Sequence, residues 1–283
     1  MPETAQRTAE AFLEVLCDRT QAPAIADDVA IVIAHPDDET IGCGAQLGRL
    51  RGITLVVVTD GAPHDGLDAA RLGISDRRAY AAVRRHELYR VLAIAQVPLY
   101  RLVMLPLADQ TAAFRLSDLA RALCDLLIAR RLRLILTHAY EGGHPDHDAV
   151  AFAAHGAITL AARQGHRAEI IEMPFYRAAG SRWAVQRFAA PERPRARMVR
   201  LLDRQKRLKR RLLDAHGSQT AVLKAFGIDA EQFRPAPAYD FAEPPNGGDI
   251  LYEHHDWGMT GRRWRTLVQA AALDLGLGAP PWR

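Results

Sequence analysis

Val29-Ala30-Ile31-Val32-Ile33-Ala34-His35-Pro36-Asp37-Asp38-Glu39-Thr40 is the stretch from which the fold can be read. Six apolar residues, several of them β-branched, have the makeup of a strand buried on both faces, and they stop abruptly at one histidine and three consecutive acids. Pro36 biases His35 toward an extended conformation and keeps the strand from running smoothly into a helix. The small residues and helical spacing of Thr40 to Leu47 then predict a helix, with Asp37, Asp38 and Glu39 in the turn or at its N-terminus. One imidazole and at least one carboxylate would project over the carboxyl end of a central strand.

A second stretch carries matching chemistry. Leu134-Ile135-Leu136-Thr137 is another short apolar strand, followed by His138-Ala139-Tyr140-Glu141-Gly142-Gly143 and then His144-Pro145-Asp146-His147-Asp148. Pro145 suits the first helical position, and the Ala-rich run from Ala149 to Ala162 suits the helix behind it. His144 and His147, three apart across that helix start, can look into one cleft. In an open parallel α/β sheet, sites form outside the carboxyl ends of the strands. If these two strands are neighbours, His35, Asp37, Asp38, His144 and His147 meet there. Two histidines and one carboxylate with an open position are the donor set of a catalytic zinc, whereas structural zinc prefers cysteine. The bland alternative is that the acids cap the first helix and His147 is solvated; spacing alone does not assign which Asp or which His would bind.

The segments Ala34 to Glu39 (Ala-His-Pro-Asp-Asp-Glu) and His144 to Asp148 (His-Pro-Asp-His-Asp) resemble the two signature motifs of the PIG-L/LmbE-type zinc-dependent N-deacetylases. The resemblance extends from about Val29 to Gln219. It implies that His35, Asp38 and His147 hold one zinc ion, or another divalent metal in its place, that Asp37 is the general base, and that His144 assists as acid or electrostatic stabiliser. Asp146 would orient His144 and raise its pKa, and Tyr140 would add a hydrogen bond to the oxyanion. The family often has an Arg-x-x-Glu pair whose Arg reaches the substrate. Arg84 and Glu87 fit that pattern, although an ordinary ion pair between them is an equal alternative. The implied substrate is a small acetylated amino sugar of the N-acetylglucosamine type.

Composition sets bounds on this reading. The 283 residues are 49% hydrophobic and 25% charged, which suits a soluble globular chain with a substantial core. A formal charge of +4 permits attraction to anionic substrates without requiring it, and gives no strong reason to expect nucleic acid. Three cysteines, Cys17, Cys43 and Cys124, are odd in number and form no metal-binding pair, as expected in a reducing, cytoplasmic compartment. No run is long enough for a membrane span, and Met1 to Thr20 is too acidic and polar for a signal peptide. A homo-oligomer is compatible with all of this.

In chain order, Thr4 to Arg19 reads as an amphipathic helix, Ile53 to Thr59 as a second parallel strand, and Ala62 to Asp76 as a long loop in which Asp60 and His64 at its edge either border the cleft or are merely solvated. Arg77 to Ala95 is a long helix, Arg101 to Leu105 a strand, and Leu116 to Arg131 a helix with Ser117-Asp118 as its capping signal. Four alternations of strand and helix predict an α/β fold: a Rossmann-like, doubly wound, mostly parallel sheet with helices on both faces, plus a C-terminal extension of short strands and helices. No Gly-x-Gly-x-x-Gly opens the first helix, so a dinucleotide is not expected. Residues 1–165 would form the metal-binding core, and 166–283 would complete the same domain and the substrate cleft.

Within that extension, Ala168 to Tyr176 and Trp183 to Ala189 read as strands of an antiparallel edge or hairpin turning at Gly180-Ser181. Arg193 to Ala215 reads as one basic helix with Met198, Leu201, Leu202, Leu208 and Leu212 on its apolar stripe. Pro235 to Asp249 should be irregular. Glu253 to Trp257 gathers His, acid and aromatic residues able to wall a carbohydrate cleft or simply to pack, and Arg262 to Leu275 is a last helix.

The expected activity is removal of an N-acetyl group by metal-activated water. The nearest alternative is an amidase acting on a larger N-acyl or thiol conjugate. From other classes come a non-catalytic carbohydrate-binding protein and an RNA binder using Arg193 to Arg211.

Overall fold

The computed structural model describes residues 8–18, 20–189 and 195–282. At its centre, β1 (Val29–Ile33), β2 (Thr54–Thr59), β3 (Leu102–Leu107), β4 (Leu134–His138) and β5 (Glu169–Met173) are parallel, in the spatial order β5-β4-β1-β2-β3. Ile31 of β1 pairs with Leu55 of β2 on one side and Leu136 of β4 on the other, so the two motif-bearing strands are direct neighbours. Their carboxyl ends open at the same edge.

Strand period explains how β1 serves two cores. Ala30, Val32 and Ala34 face one layer, made by α4 (Leu116–Ala129), α5 (Pro145–Arg163) and α7 (Gly261–Asp274). Val29, Ile31 and Ile33 face the other, where α1 (Ala9–Cys17), α2 (Asp38–Leu47), α3 (Arg77–Ala95) and α6 (Asp203–Ala215) supply Phe12, Ile41, Leu88 and Leu212. All five residues of β1 are buried, as a run of continuous apolar residues between two helical layers requires. Among the described residues, no helix is long and apolar enough to cross a membrane.

Helix α2 is broken in its middle. Cys43 has φ −146° and ψ 27°, outside the helical region. An unbroken helix would bond the Ala45 N–H to the Ile41 carbonyl. Here the Ala45 N–H donates to Glu231 Oε1 at 2.9 Å, and the Ile41 carbonyl accepts from Lys209 Nζ at 2.8 Å. Lys209 and Glu231 meet each other at 2.8 Å, and both side chains are fully buried. The ion pair is thus wedged where one backbone hydrogen bond is missing, and each charge also satisfies an orphaned backbone group. Gln46 adds a donor to Glu231 at 3.3 Å.

The structure differs from the sequence reading in the extension. The residues at 168–176 divide: Glu169–Met173 joins the central sheet in parallel with β4, and the hairpin is formed instead by β6 (Tyr176–Ala179) and β7 (Arg182–Val185), turning at Gly180 and Ser181. The expected basic helix is also two elements, β8 (Arg197–Arg200) and α6; the expectation for Arg193 and Pro194 lies outside the described residues. Met198, assigned to an apolar stripe, is in fact an exposed strand residue. A strand that the sequence reading did not anticipate, β9 (Ala230–Pro235), pairs antiparallel with both β8 and β5 and extends the sheet. The long loop contains a short helix, Leu67–Arg71, and α4 is not capped by Ser117 or Asp118, which lie inside its first turn after a 3-10 turn at Ala112–Arg115.

Candidate active site and metal centre

The first motif makes a tight turn off the end of β1. The Ala34 N–H donates to His138 Nε2 at 2.9 Å, which ties the end of β1 to the end of β4. The His35 N–H then donates to Asp38 Oδ2 at 2.8 Å, and the Asp37 N–H to Glu39 Oε2 at 3.0 Å. Asp37 itself sits at φ 141°, a conformation L-residues rarely adopt, and such strain persists only where the surroundings hold it. Three groups do so here. Glu39 grips its N–H, His216 at the end of α6 meets Glu39 Oε1 at 2.9 Å, and Arg84 of α3 donates to Asp37 Oδ2 at 3.1 Å and to the Pro36 carbonyl at 2.6 Å. Arg84 also donates to the Gly61 carbonyl at 2.9 Å. A Cβ on Gly61 would lie 3.0 Å from that guanidinium and 2.9 Å from Pro36, so only glycine leaves room.

The second motif arrives from β4. The Asp148 carboxylate accepts from the Glu141 and Gly142 N–H groups, which folds the connecting loop onto the start of α5. His144 caps α5, its Nδ1 accepting from the Asp146 N–H at 3.1 Å. In the neutral ring this leaves the proton on Nε2.

Two donor groups result, sharing His35. His35, Asp38 and His147 form one; His35, Asp109, His144 and Asp146 form the other; within each group the ligand atoms lie inside 4.8 Å. His147 Nε2 stands 3.4 Å from Asp38 Oδ1 and His35 Nδ1 stands 3.4 Å from Asp38 Oδ2. The buried His147 makes no aligned hydrogen bond through either ring nitrogen. Buried polar atoms without partners are uncommon, and an imidazole facing a carboxylate in this way suits a divalent cation between them. Two imidazoles and one carboxylate, with no cysteine, fit a catalytic rather than a structural zinc.

Electrostatics separate the two acids of the first motif. Burial pushes Asp37 up to about 7, a rise that Arg84 opposes and Asp38 reinforces. For Asp38 burial acts in the same upward direction, but His147 and His138 overcome it and hold the carboxyl well below its usual range. His35 is buried, which works against charge, yet Asp109, Asp146 and Asp38 raise it well above the ordinary imidazole value. Burial and the neighbouring His35 push His144 down instead.

Three expectations about individual residues change. Asp146 does not orient His144 through its carboxylate. That group lies 3.3 Å from His35 Nε2 and accepts from the Gln110 and Ala112 N–H groups at 2.6 and 3.0 Å. The carboxylate facing His144 Nε2 is Asp109, at 3.8 Å, and it also lies 3.1 Å from His35 Nε2. The sequence reading missed Asp109. Its signal was position, two residues past the carboxyl end of β3, where the strand-end rule would have placed it had β3 not been ended at Leu105. Tyr140 is not brought into the cluster: its hydroxyl donates to carbonyls of the C-terminal segment, at 2.9 Å for Glu243, and accepts from Trp264 Nε1 at 2.7 Å. Arg84 does not pair with Glu87, which is taken by Ser218, but stands behind Asp37. Asp60 is held by Arg77 at 2.7 Å and accepts from the Asp109 N–H, so it supports the site from outside, while His64 is exposed.

Comparison with known proteins agrees with this architecture. Residues 30–158 match the family model described as "PIG-L: GlcNAc-PI de-N-acetylase". A curated relative, 1D-myo-inositol 2-acetamido-2-deoxy-alpha-D-glucopyranoside deacetylase 2 of Catenulispora acidiphila, is 30% identical over 158 residues, 48% of this chain and 52% of the relative. The chain thus spans about half the length of that relative. Among solved structures, a pseudoaglycone deacetylase has a TM-score of 0.56 at 17% identity, covering 74% of this chain and 97% of its own. The N,N'-diacetylchitobiose deacetylase of Pyrococcus horikoshii has a TM-score of 0.51 at 17% identity, covering 83% and 95%. At these identities the structural likeness speaks to the fold. The match to the PIG-L family model over residues 30–158 takes in both motifs.

Proposed function

We propose that the chain is a metal-dependent hydrolase that removes the N-acetyl group from an N-acetylglucosamine-type amino-sugar conjugate. The observation that carries this is the convergence of His35, Asp38 and His147 beside Asp37, an acid that belongs to neither donor group and is held by Arg84 instead. Zinc held by those three residues would polarise the acyl carbonyl as a Lewis acid and lower the pKa of water to ~7. Asp37 accepts a proton from the attacking water at its carboxylate and returns it to the amine nitrogen as the C–N bond breaks, leaving acetate and a free amine. His144 presents its Nε2–H toward the developing oxyanion, and a preorganised donor of this kind is worth about 3 kcal/mol. Arg84 and Glu39 keep Asp37 in place, and Asp109 and Asp146 fix the ring of His35.

The substrate class is supported by two of the similar proteins, a 1D-myo-inositol 2-acetamido-2-deoxy-alpha-D-glucopyranoside deacetylase and an N,N'-diacetylchitobiose deacetylase. We read residues 166–283 as completing the same domain, supported by the pairing of β5, β8 and β9 into the one sheet. A screen of acetylated amino sugars, free and conjugated to inositol, peptide, nucleotide or lipid, with released acetate as readout, tests the reading. Zinc-loaded protein that releases acetate from none of them would overturn it.

A further inference from the structure

We propose that a cavity beside α5, at the amino ends of the central strands, binds a small amphiphilic acid: a carboxylate on an apolar body that also carries a hydroxyl. The cavity measures about 1100 Å³, roomy enough for a small organic molecule. It lies away from the donor cluster. Glu169 on its wall is the first residue of β5 and pairs with Leu134, the first of β4, whereas the donor cluster opens beyond His138 and Met173, which pair at the other end of the same two strands. His155, also on the wall, follows His147 by just over two turns of α5, about 12 Å along the helix axis.

Most of the wall is aliphatic, from Ala9 of α1, Ile158 and Ala162 of α5, Ile170 of β5, and Ala236 and Ala238 beyond β9. Two features interrupt it. The first is His155, which is 2% exposed and makes no aligned hydrogen bond through either ring nitrogen, although the Trp282 backbone stands beside it. Buried polar atoms left in this state are uncommon. The ring is set by edge contacts with Tyr239 at 5.5 Å and Phe241 at 5.2 Å. Tyr239 is fixed in turn, its hydroxyl accepting at 3.0 Å from Arg234, which pairs with Glu172 at 2.9 Å.

The second feature is the rim, where Arg163 and Arg167 are exposed. Arg163 donates to the Leu275 and Gly276 carbonyls at 3.1 and 2.7 Å, which anchors its guanidinium without neutralising it. Arg167 has no ion pair among the described residues. The acid nearby, Glu169, is engaged at 2.7 Å by the Ala9 N–H at the start of α1.

These features order the ligand. An ionised group would lose its water at the enclosed end without meeting an opposite charge, so the carboxylate belongs at the arginine rim. Burial keeps His155 neutral, and a neutral imidazole offers one donor and one acceptor. A hydroxyl can answer either of them, and a plain alkyl chain neither. Arg163 lies a further two turns of α5 from His155, about 12 Å, so a chain of medium length reaches both.

Calorimetric titration of the full chain with ω-hydroxydecanoate, decanoate and the decane diol hydroxylated at both ends tests the site. It needs no turnover, so its outcome is independent of the deacetylase reading. The hydroxy acid is expected to bind about three- to tenfold more tightly than decanoate, and His155→Phe should erase that difference. Arg167→Gln should weaken both acids about threefold and leave the diol unchanged. Ala162→Trp, at an exposed position on the wall, should block every one of these ligands. These two surface variants keep the test decisive where His155→Phe does not fold. No binding of the hydroxy acid at millimolar concentration, equal affinity for the two acids, a diol that binds as tightly as the hydroxy acid, or binding that survives Ala162→Trp would overturn the site. Binding seen only after removal of residues 1–7 would overturn it as well, making that segment the occupant.

Discussion

Two buried polar networks adjoin α2, a lower one at its break and an upper one at its N-terminal end, and they are built on different principles. At the break, Lys209 and Glu231 are paired with each other and with the Ile41 carbonyl and Ala45 N–H. At the N-terminal end, the imidazoles of His35, His144 and His147 face carboxylates at 3.1–3.8 Å, and the ring nitrogens of His147 lack aligned partners. The lower network is complete in the protein alone. The upper one leaves the His147 ring nitrogens without aligned partners beside a carboxylate, an arrangement a divalent cation would complete. A buried charge is therefore informative about function only after its partners have been counted.

The largest expected effect breaks the upper network at the group that holds no metal. Asp37→Asn should lower acetate release roughly a hundred- to ten-thousand-fold while zinc content stays near one per chain, whereas His147→Ala should lose the zinc itself. Elemental analysis beside a rate assay separates the two, and equal zinc loss in both would erase the distinction between base and ligand.

The lower network should fail in stability. Lys209→Met leaves Glu231 charged and buried, at a cost of about 3–5 kcal/mol in denaturant unfolding. Lys209→Met with Glu231→Leu should cost less than the sum of the singles, though not nothing, because Ile41 and Ala45 lose partners as well. Strict additivity would mean that the pair is not coupled.

His155 sharpens the comparison as a buried imidazole in neither network. It is enclosed by Tyr239 and Phe241, and burial pushes its pKa down to about 4. The unfolded chain takes up this proton below about 6.5 and the folded one only below about 4, so stability present above pH 6.5 is lost as pH falls between these values. The loss amounts to about 3 kcal/mol, and His155→Gln should flatten that part of the stability curve relative to wild type. Parallel curves would show that His155 does not stay neutral in the fold.

The smallest effect concerns support for a ligand. Asp109→Asn should weaken zinc binding about 10–100-fold, measured by chelator competition, through the His35 ring it faces. Unaltered affinity would place Asp109 outside the metal's support.

Much of the upper network was legible in the sequence because its residues sit next to strands with unmistakable apolar runs: His35 follows Val29 to Ala34, and His144 and His147 follow Leu134 to Thr137 within one turn of a Pro-marked helix. The strand-end rule then brought them together. Asp109 lacked a motif, and Pro106 near the end of β3 made that strand look shorter than it is. Strand β9 was hidden for a different reason. Glu231 and Arg234 give Ala-Glu-Gln-Phe-Arg-Pro the appearance of a surface segment, yet both are buried against partners far away in sequence, Lys209 and Glu172. The basic run before α6 misled in the opposite sense, since Met198, Leu201 and Leu202 fall at helical intervals although Arg197–Arg200 forms a strand. Local pattern reports what a residue would do alone; burial of charge is decided by what arrives later.

The wedge under Cys43 carries a consequence for how such chains diverge. Neither Lys209 nor Glu231 can drift singly without stranding the other in the core, so the two positions should change together or stay put across related sequences. A relative whose helix runs unbroken through this point would need neither charge. Co-substitution at 209 and 231 would thus report, from sequence alone, whether the helix carrying the first motif is continuous.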